Sequence, residues 1–359
     1  MTAPLLPGAT IGIIGGGQLG RMLAMAAARL GYRTIVLEPQ ADCPAAQLAN
    51  SQIVAAYDDE AALAELAARA DVITYEFENV PVAAARRIEV QTAVFPPPLA
   101  LEKAQDRLTE KRLLNALGIS TADFRAVDND AALAEALAGF GGSGVLKTRR
   151  LGYDGKGQRV FRNATADDCR GVFDAMGGVP LILEALVDFD CEFSIIAARD
   201  GDGTKRAYDA ARNVHQGGIL RSSTVPAGLA PAMAEQARRA TFALLDGLDY
   251  VGVIGLEFFA LADGRALVNE YAPRVHNSGH WTEAACTVSQ FEQHIRAVAG
   301  LPLGDPRRHG DCVMENLIGD EVGNAPDLLR ESDLMLHLYG KAEARPGRKM
   351  GHFTRLSKG

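Results

Sequence analysis

Cysteine is scarce in this chain of 359 residues, and the five present follow no pattern. Cys43, Cys169, Cys191, Cys286 and Cys312 are odd in number and form no CxxC pair. That argues against a zinc knuckle or a disulfide framework and for buried free thiols in a reducing cytosol. Long apolar runs are also missing. Nowhere do 18 apolar residues run together, and residues 1–10 carry neither a basic stretch nor an apolar core. No membrane span or secretion signal is expected, and the expected location is the cytoplasm. Positive charge is in deficit, 37 Lys and Arg against 45 Asp and Glu, which argues against a sequence-independent grip on nucleic acid.

What is present is ordinary for globular proteins: 48% hydrophobic and 23% charged residues, in a length that calls for two or three packed units. The first unit, residues 1–98, alternates strand and helix patterns: strands at Thr10–Gly15, Arg33–Glu38, Gln52–Ala55 and Asp71–Glu76, helices at Gln18–Leu30 and Glu60–Arg69. This βαβ rhythm predicts a parallel, Rossmann-like sheet. Phe95-Pro96-Pro97-Pro98 ends it. A charge-rich helix is expected over Leu99–Leu117, as a connection at 99–119. Beyond it lie a small α/β unit (120–187), a larger one with hairpin signals (188–300) and a β-rich tail (301–359).

Gly15-Gly16-Gly17-Gln18-Leu19-Gly20 satisfies the G-x-G-x-x-G dinucleotide fingerprint, with Glu38 ending the next strand. The physics is less specific than the label. A glycine turn and a helix N-terminus suit any phosphorylated ligand, or a bare strand–helix turn.

Val251–Ala260 and Arg265–Glu270 read as strands around Asp263-Gly264. A two-residue turn there sets Glu257 directly opposite Glu270, a repulsive pair unless a hard divalent cation lies between them. A three-residue loop would instead slip the register and turn one glutamate to solvent. Lys147 ends a short apolar run, and Gly152-Tyr153-Asp154-Gly155-Lys156-Gly157-Gln158 follows. This is no Walker loop, but it has the makings of a lid over phosphates, with Lys147 as a fixed cation; alone, it would read as a surface turn. Asn269–Thr282 is densely polar: Arg274 could hold an anion, with His276 and Asn277 orienting it, or the loop could simply pack around the only tryptophan, Trp281. Lys341, Arg345, Arg348, Lys349, Arg355 and Lys358 make a basic tail, either solvated or aimed at a phosphate.

Lys147, the Gly152–Gln158 loop, Glu184 and the Glu257/Glu270 pair resemble the ATP-grasp superfamily. The run Arg274-Val275-His276-Asn277-Ser278-Gly279-His280-Trp281-Thr282 is more specific. With Gly17–Met22 and Arg345–His352, it resembles the N5-carboxyaminoimidazole ribonucleotide synthetase family of purine biosynthesis. The resemblance implies a pre-ATP-grasp domain over 1–98, a two-lobed ATP-grasp domain with lobes at 120–187 and 188–300, and a small C-terminal domain. It implies that ATP phosphorylates bicarbonate to carboxyphosphate, which carboxylates the amine of 5-aminoimidazole ribonucleotide, in a cytoplasmic homodimer.

By position, the resemblance implies ATP contacts at Arg107, Lys147, Gly152–Gln158, Glu184, Ala185, Leu186, Val187, Glu192, His215, Asn269 and Glu270, and Mg2+ on Glu257 and Glu270. Tyr153, Asp154, Lys156, Arg274, His276, Asn277, Ser278, Lys341 and Arg348 would line the carboxylation chamber. Gly17, Gln18, Leu19, Glu76, Lys341, Arg345 and Arg348 would meet the ribonucleotide. Lys156 stands where some relatives carry arginine, and Tyr271 where an aliphatic residue is common. Another ATP-grasp ligase acting on a purine-pathway ribonucleotide, an NAD-dependent oxidoreductase and a non-catalytic nucleotide-binding module are the competing readings.

Overall fold

In the computed structural model, which describes residues 3–152 and 157–357, the four predicted N-terminal strands form one parallel sheet in the order β3 (Ser51–Ile53), β2 (Arg33–Leu37), β1 (Thr10–Ile14), β4 (Val72–Tyr75). Such strands are buried on both faces. Ile11 and Ile13 accordingly pack with Met22 and Leu23 of α1 (Gln18–Arg29), while Ile14 and Ile73 pack with Leu63 and Leu66 of α2 (Glu60–Arg69). A further helix, α3 (Val82–Glu89), precedes the prolines; its apolar stripe of Ala84, Ala85 and Ile88 is short.

The single helix expected over Leu99–Leu117 is two: α4 (Pro98–Ala104) and α5 (Arg107–Ala116). Asp106 breaks it. Its side chain accepts the Leu108 and Thr109 N–H groups and so caps α5, and the Arg149 guanidinium holds the same carboxylate at 2.7 Å. The break aims α5 at the large lobe.

The small lobe is an antiparallel sheet ordered β5 (Phe124–Val127), β8 (Leu181–Ala185), β6 (Gly144–Thr148), β7 (Gln158–Phe161), backed by α6 (Asp130–Gly139). The large lobe runs β14 (Ala266–Ala272), β13 (Gly252–Ala260), β9 (Cys191–Arg199), β11 (Ala211–Gln216), β12 (Ile219–Val225), with β10 (Lys205–Ala207) on the far end of β9. The helix Pro231–Gly247 buries Met233, Ala237 and Leu244 against this sheet. The β-rich tail continues it: β15 (Cys312–Ile318) pairs with β12, β17 (Lys349–Leu356) with β15, and β16 (Leu334–Leu338) with β17. No helix among the described residues is long and apolar enough to cross a membrane.

Candidate active site

The β13–β14 hairpin reaches the predicted pairing by an unpredicted route. Ala260 pairs with Ala266, and the Leu261 N–H donates to the Arg265 carbonyl. The loop is therefore three residues, Ala262–Gly264, rather than the two expected, with Gly264 at φ 87° closing it. On its own this slips the register by one. A bulge then restores it: Phe258 pairs with Val268 but Leu256 with Tyr271, so Asn269 and Glu270 together oppose Glu257. All three face one cavity of about 630 Å³ between the lobes.

A bulge leaves backbone groups without ladder partners, and α5 supplies them. The Tyr271 N–H donates to Glu110 at 2.7 Å, and the Lys111 ammonium donates to the Asn269 carbonyl at 3.1 Å. These two groups flank Glu270, so α5 grips the bulge on both sides. Neither Glu110 nor Lys111 was predicted as a site residue; the only sequence signal was charge at two consecutive positions of an otherwise amphipathic helix.

Charge in the cavity is sorted by partner. The Arg107 guanidinium pairs with Glu270 and holds its carboxyl down at about 2. Burial and then the Glu270 charge push Glu257 up to about 7 and Glu110 to about 8. Opposite them, Lys147 lies 3.0 Å and Lys111 3.3 Å from the same Glu184 oxygen; against its burial, these cations keep that carboxyl below its ordinary value. The other Glu184 oxygen and the Asn269 Oδ1 are buried acceptors that no donor among the described residues reaches. Phe189 and Phe259 stack at 4.6 Å as an apolar part of the wall.

Beyond the hairpin, the Arg274 guanidinium donates to Glu78 at 2.5 Å. Burial and then Arg274 push His276 down to about 3, so its ring is neutral. The Ser278 N–H points at its Nδ1 (3.4 Å) and the Ser278 hydroxyl lies 2.8 Å away, which leaves the proton on Nε2, 3.3 Å from Glu257. Ser278 itself stands off the cavity wall. It is fully buried outside the cavity lining, takes a hydrogen bond from Ser194, and orients His276. Asn277 does reach the cavity, and its amide exchanges two 2.9 Å hydrogen bonds with Asn316.

The opening glycine loop holds an anion of the protein's own. Gly17 and Gly20 donate their N–H groups to Glu76, and Gly16 donates to Glu38 at 2.8 Å. A Cβ on Gly15 would sit 2.4 Å from the Glu76 side chain, so glycine there makes room for Glu76. Gln18 and Leu19 reach the cavity; Gly17 and Glu76 are not among its lining residues. Lys341 donates to the Lys349 carbonyl at 2.7 Å, and its charge is felt by Arg348, Glu76 and Lys349. Lys349, not predicted as a site residue, lines the cavity; Lys341 and Arg348 are not among its lining residues, and Arg345 is an exposed partner of Glu343.

The remaining predicted positions divide simply. Arg107, Lys147, Gly152, Gly157, Gln158, Glu184–Val187, Glu192, His215, Glu257, Asn269, Glu270, Arg274 and His276 all line the cavity. Tyr153, Asp154, Gly155 and Lys156 lie outside the described residues.

Comparison with known proteins fits this layout. Residues 112–291 match the model of the ATP-grasp domain, residues 8–105 the ribonucleotide synthetase preATP-grasp domain, and residues 312–358 the phosphoribosylaminoimidazole carboxylase C-terminal domain. Two sheet-based lobes facing each other across a cavity of lysine and carboxylate are thus those of an ATP-grasp protein. The chain is 64% identical, over 98% of its length and 97% of the relative's, to the N5-carboxyaminoimidazole ribonucleotide synthase of Brucella melitensis. It is 46% identical to that of Pseudomonas aeruginosa, over 96% and 93% of the two chains. A solved N5-carboxyaminoimidazole ribonucleotide synthetase in complex with ADP superposes with a TM-score of 0.95 at 43% identity, covering 99% of this chain and 94% of the other. The Aspergillus clavatus enzyme with ADP and 5-aminoimidazole ribonucleotide gives 0.91 at 30%, covering 98% and 94%. The chain belongs to the N5-carboxyaminoimidazole ribonucleotide synthase family. The expected fold class, a Rossmann-like sheet, a two-lobed ATP-grasp domain and C-terminal strands, is the one observed.

Proposed function

We propose that this chain uses ATP and bicarbonate to carboxylate the exocyclic amine of 5-aminoimidazole ribonucleotide, releasing ADP and phosphate. The observation that carries the reading is the cluster of Glu257, Asn269 and Glu270 in one cavity with Lys147. Oxygen donors alone suit a hard cation, and the Asn269 Oδ1 is a buried acceptor in want of a donor or an ion. Glu257 and Glu270 would hold Mg2+, which when bound would offset phosphate charge. The triphosphate would lie by Lys147 and Arg107, and the base by Glu184–Val187, where the free Glu184 oxygen is an acceptor for an amine.

Phosphoryl transfer to bicarbonate needs positioning and charge neutralisation rather than a protein nucleophile. A bicarbonate oxygen displaces ADP from the γ-phosphorus. The amine then attacks the carboxyl carbon of carboxyphosphate, phosphate leaves, and the amine loses a proton. Arg274, fixed by Glu78, and the neutral His276 would orient the anionic carboxyl group. Tyr153, Asp154 and Lys156 are proposed for the lid that keeps water from carboxyphosphate. The ribonucleotide phosphate would meet Lys341 and Arg348 beside Gln18, and a homodimer is the proposed assembly.

The test is ADP release with Mg-ATP and bicarbonate, with and without 5-aminoimidazole ribonucleotide. Release that depends on the ribonucleotide is expected; equal release without it would remove the assigned acceptor.

Lys341 makes a second expectation. Burial and then Arg348 push its amine down to about 8, so it is charged at neutral pH and neutral well above that value. The KM for the ribonucleotide should rise roughly tenfold once the amine is neutral, the worth of one charge-assisted hydrogen bond. Lys341→Arg should flatten this alkaline limb, because arginine keeps its proton. A limb unchanged in Lys341→Arg would remove Lys341 from the phosphate site.

A further inference from the structure

Away from the cavity, the C-terminal strands bring two imidazoles together. His337 of β16 and His352 of β17 are direct cross-strand partners, so both side chains leave the same face of the sheet. Both are buried, and their rings stack 5.4 Å apart at 21°. Over that face lies the short helix Thr282–Ala285, which sets the Glu283 carboxylate against them. One Glu283 oxygen is 3.2 Å from the His337 Nδ1 and 3.6 Å from the His352 Nε2.

From this convergence we propose that Glu283, His337 and His352 form a second metal site, one that takes a zinc-class divalent cation. The three ligand atoms all lie within 4.8 Å of one another, and no other group of three His, Cys, Asp or Glu side chains among the described residues does so. Ligands about 2.0–2.2 Å from one ion stand roughly 3.2–3.6 Å apart, which two of the three separations already match. The donor set is two imidazole nitrogens and one carboxylate oxygen. That set suits Zn2+ or Co2+ and not Mg2+, which demands oxygen.

The surroundings suit a ligand as well. The Tyr339 hydroxyl lies 2.9 Å from the His352 Nδ1, the position of an outer partner that fixes which nitrogen faces the ion. The His280 ring sits 4.7 Å from His352, and its buried Nε2 has no hydrogen-bond partner among the described residues. Glu283 keeps 15% of its side chain exposed, an entry for the ion and a place for water as fourth ligand. An ion there would tie β16 and β17 to the helix that follows the His276–Trp281 segment. The C-terminal strands would thereby gain a cross-link to the active-site loop.

The full-length protein, dialysed against EDTA and then against micromolar Zn2+, is assayed by metal analysis and by melting temperature. One equivalent of zinc per chain is expected, with a melting point several degrees higher than without it. Co2+ in its place should give tetrahedral d–d absorption without a thiolate charge-transfer band. Glu283→Gln, which preserves shape, should abolish both the retained zinc and the thermal shift, and Glu257→Gln should keep them. His337→Asn provides the second disruption if Glu283→Gln folds poorly by near-UV circular dichroism. Wild-type protein that retains no zinc, or variants that retain it equally, would leave the cluster an ion-paired triad and overturn the proposal.

Discussion

Glu257→Gln should lower ribonucleotide-dependent ADP release on the order of 10²–10³-fold at saturating Mg-ATP, without lowering the melting temperature. The two halves of this expectation share one cause. Glu257 is a half-buried carboxylate beside Glu270, and in the ligand-free protein its pKa rises to about 7. An acid whose pKa is raised by folding contributes stability below its unfolded value, near 4.5, that is lost as pH rises through about 7. At pH 8 the wild type therefore carries two opposed carboxylates at a net cost, and glutamine removes one of them. Turnover behaves oppositely. A neutral amide cannot share a divalent cation's charge with Glu270, and removing one preorganised electrostatic contact of this kind costs about 3–4 kcal/mol in the transition state. Steady-state ADP release and differential scanning fluorimetry between pH 5 and 8 check both halves. Wild-type turnover in Glu257→Gln would falsify the metal assignment, and a lower melting point at pH 8 would contradict the electrostatics.

The Glu257/Glu270 encounter also shows how far the sequence could be read. Alternation and the Asp263-Gly264 turn signal identified the hairpin, and facing carboxylates were expected from a two-residue turn. The observed loop has three residues, and the bulge at Asn269-Glu270 compensates. Nothing local to β14 announces that bulge. Its cause lies about 160 residues upstream in Glu110 and Lys111, whose hydrogen bonds replace the ladder. Lys147, Glu184, Arg274 and His276 could be named from motif spacing alone, and all four line the cavity. Motif position does not tell which way a side chain turns, and Ser278 turns to His276 rather than to the cavity wall. The glycine fingerprint left its occupant open for a related reason. It encodes a close approach to an anion, and only the fold shows that the anion is Glu76. The tail read as β-rich, but the pairing of β15 with β12 is a long-range contact that no local pattern carries.

If the bulge is held from α5, Lys111→Met should be as damaging as the loss of a residue inside the cavity. Lys111 is buried among Glu184, Lys147 and the Asn269 carbonyl. Methionine matches its length but leaves the Asn269 carbonyl without a donor and Glu184 with Lys147 alone. Losing buried hydrogen bonds to a charged group costs roughly 2–3 kcal/mol, which should appear as a clear fall in melting temperature. The larger effect falls on catalysis. Without the lysine, Asn269 and Glu270 are free to relax toward the regular ladder, which would carry one of them off the cavity face. A displacement near 1 Å at reacting groups lowers turnover about 10²-fold. Glu110→Gln is the control. Burial and the neighbouring Glu270 raise its carboxyl to about 8, so it is already mostly protonated at pH 7, and an amide oxygen accepts the Tyr271 N–H equally well. Glu110→Gln should therefore remain near wild type at pH 7, while Lys111→Met loses both stability and Mg-ATP turnover. A Lys111→Met protein that melts lower yet turns over normally would mean that the β-strand geometry holds the bulge without α5.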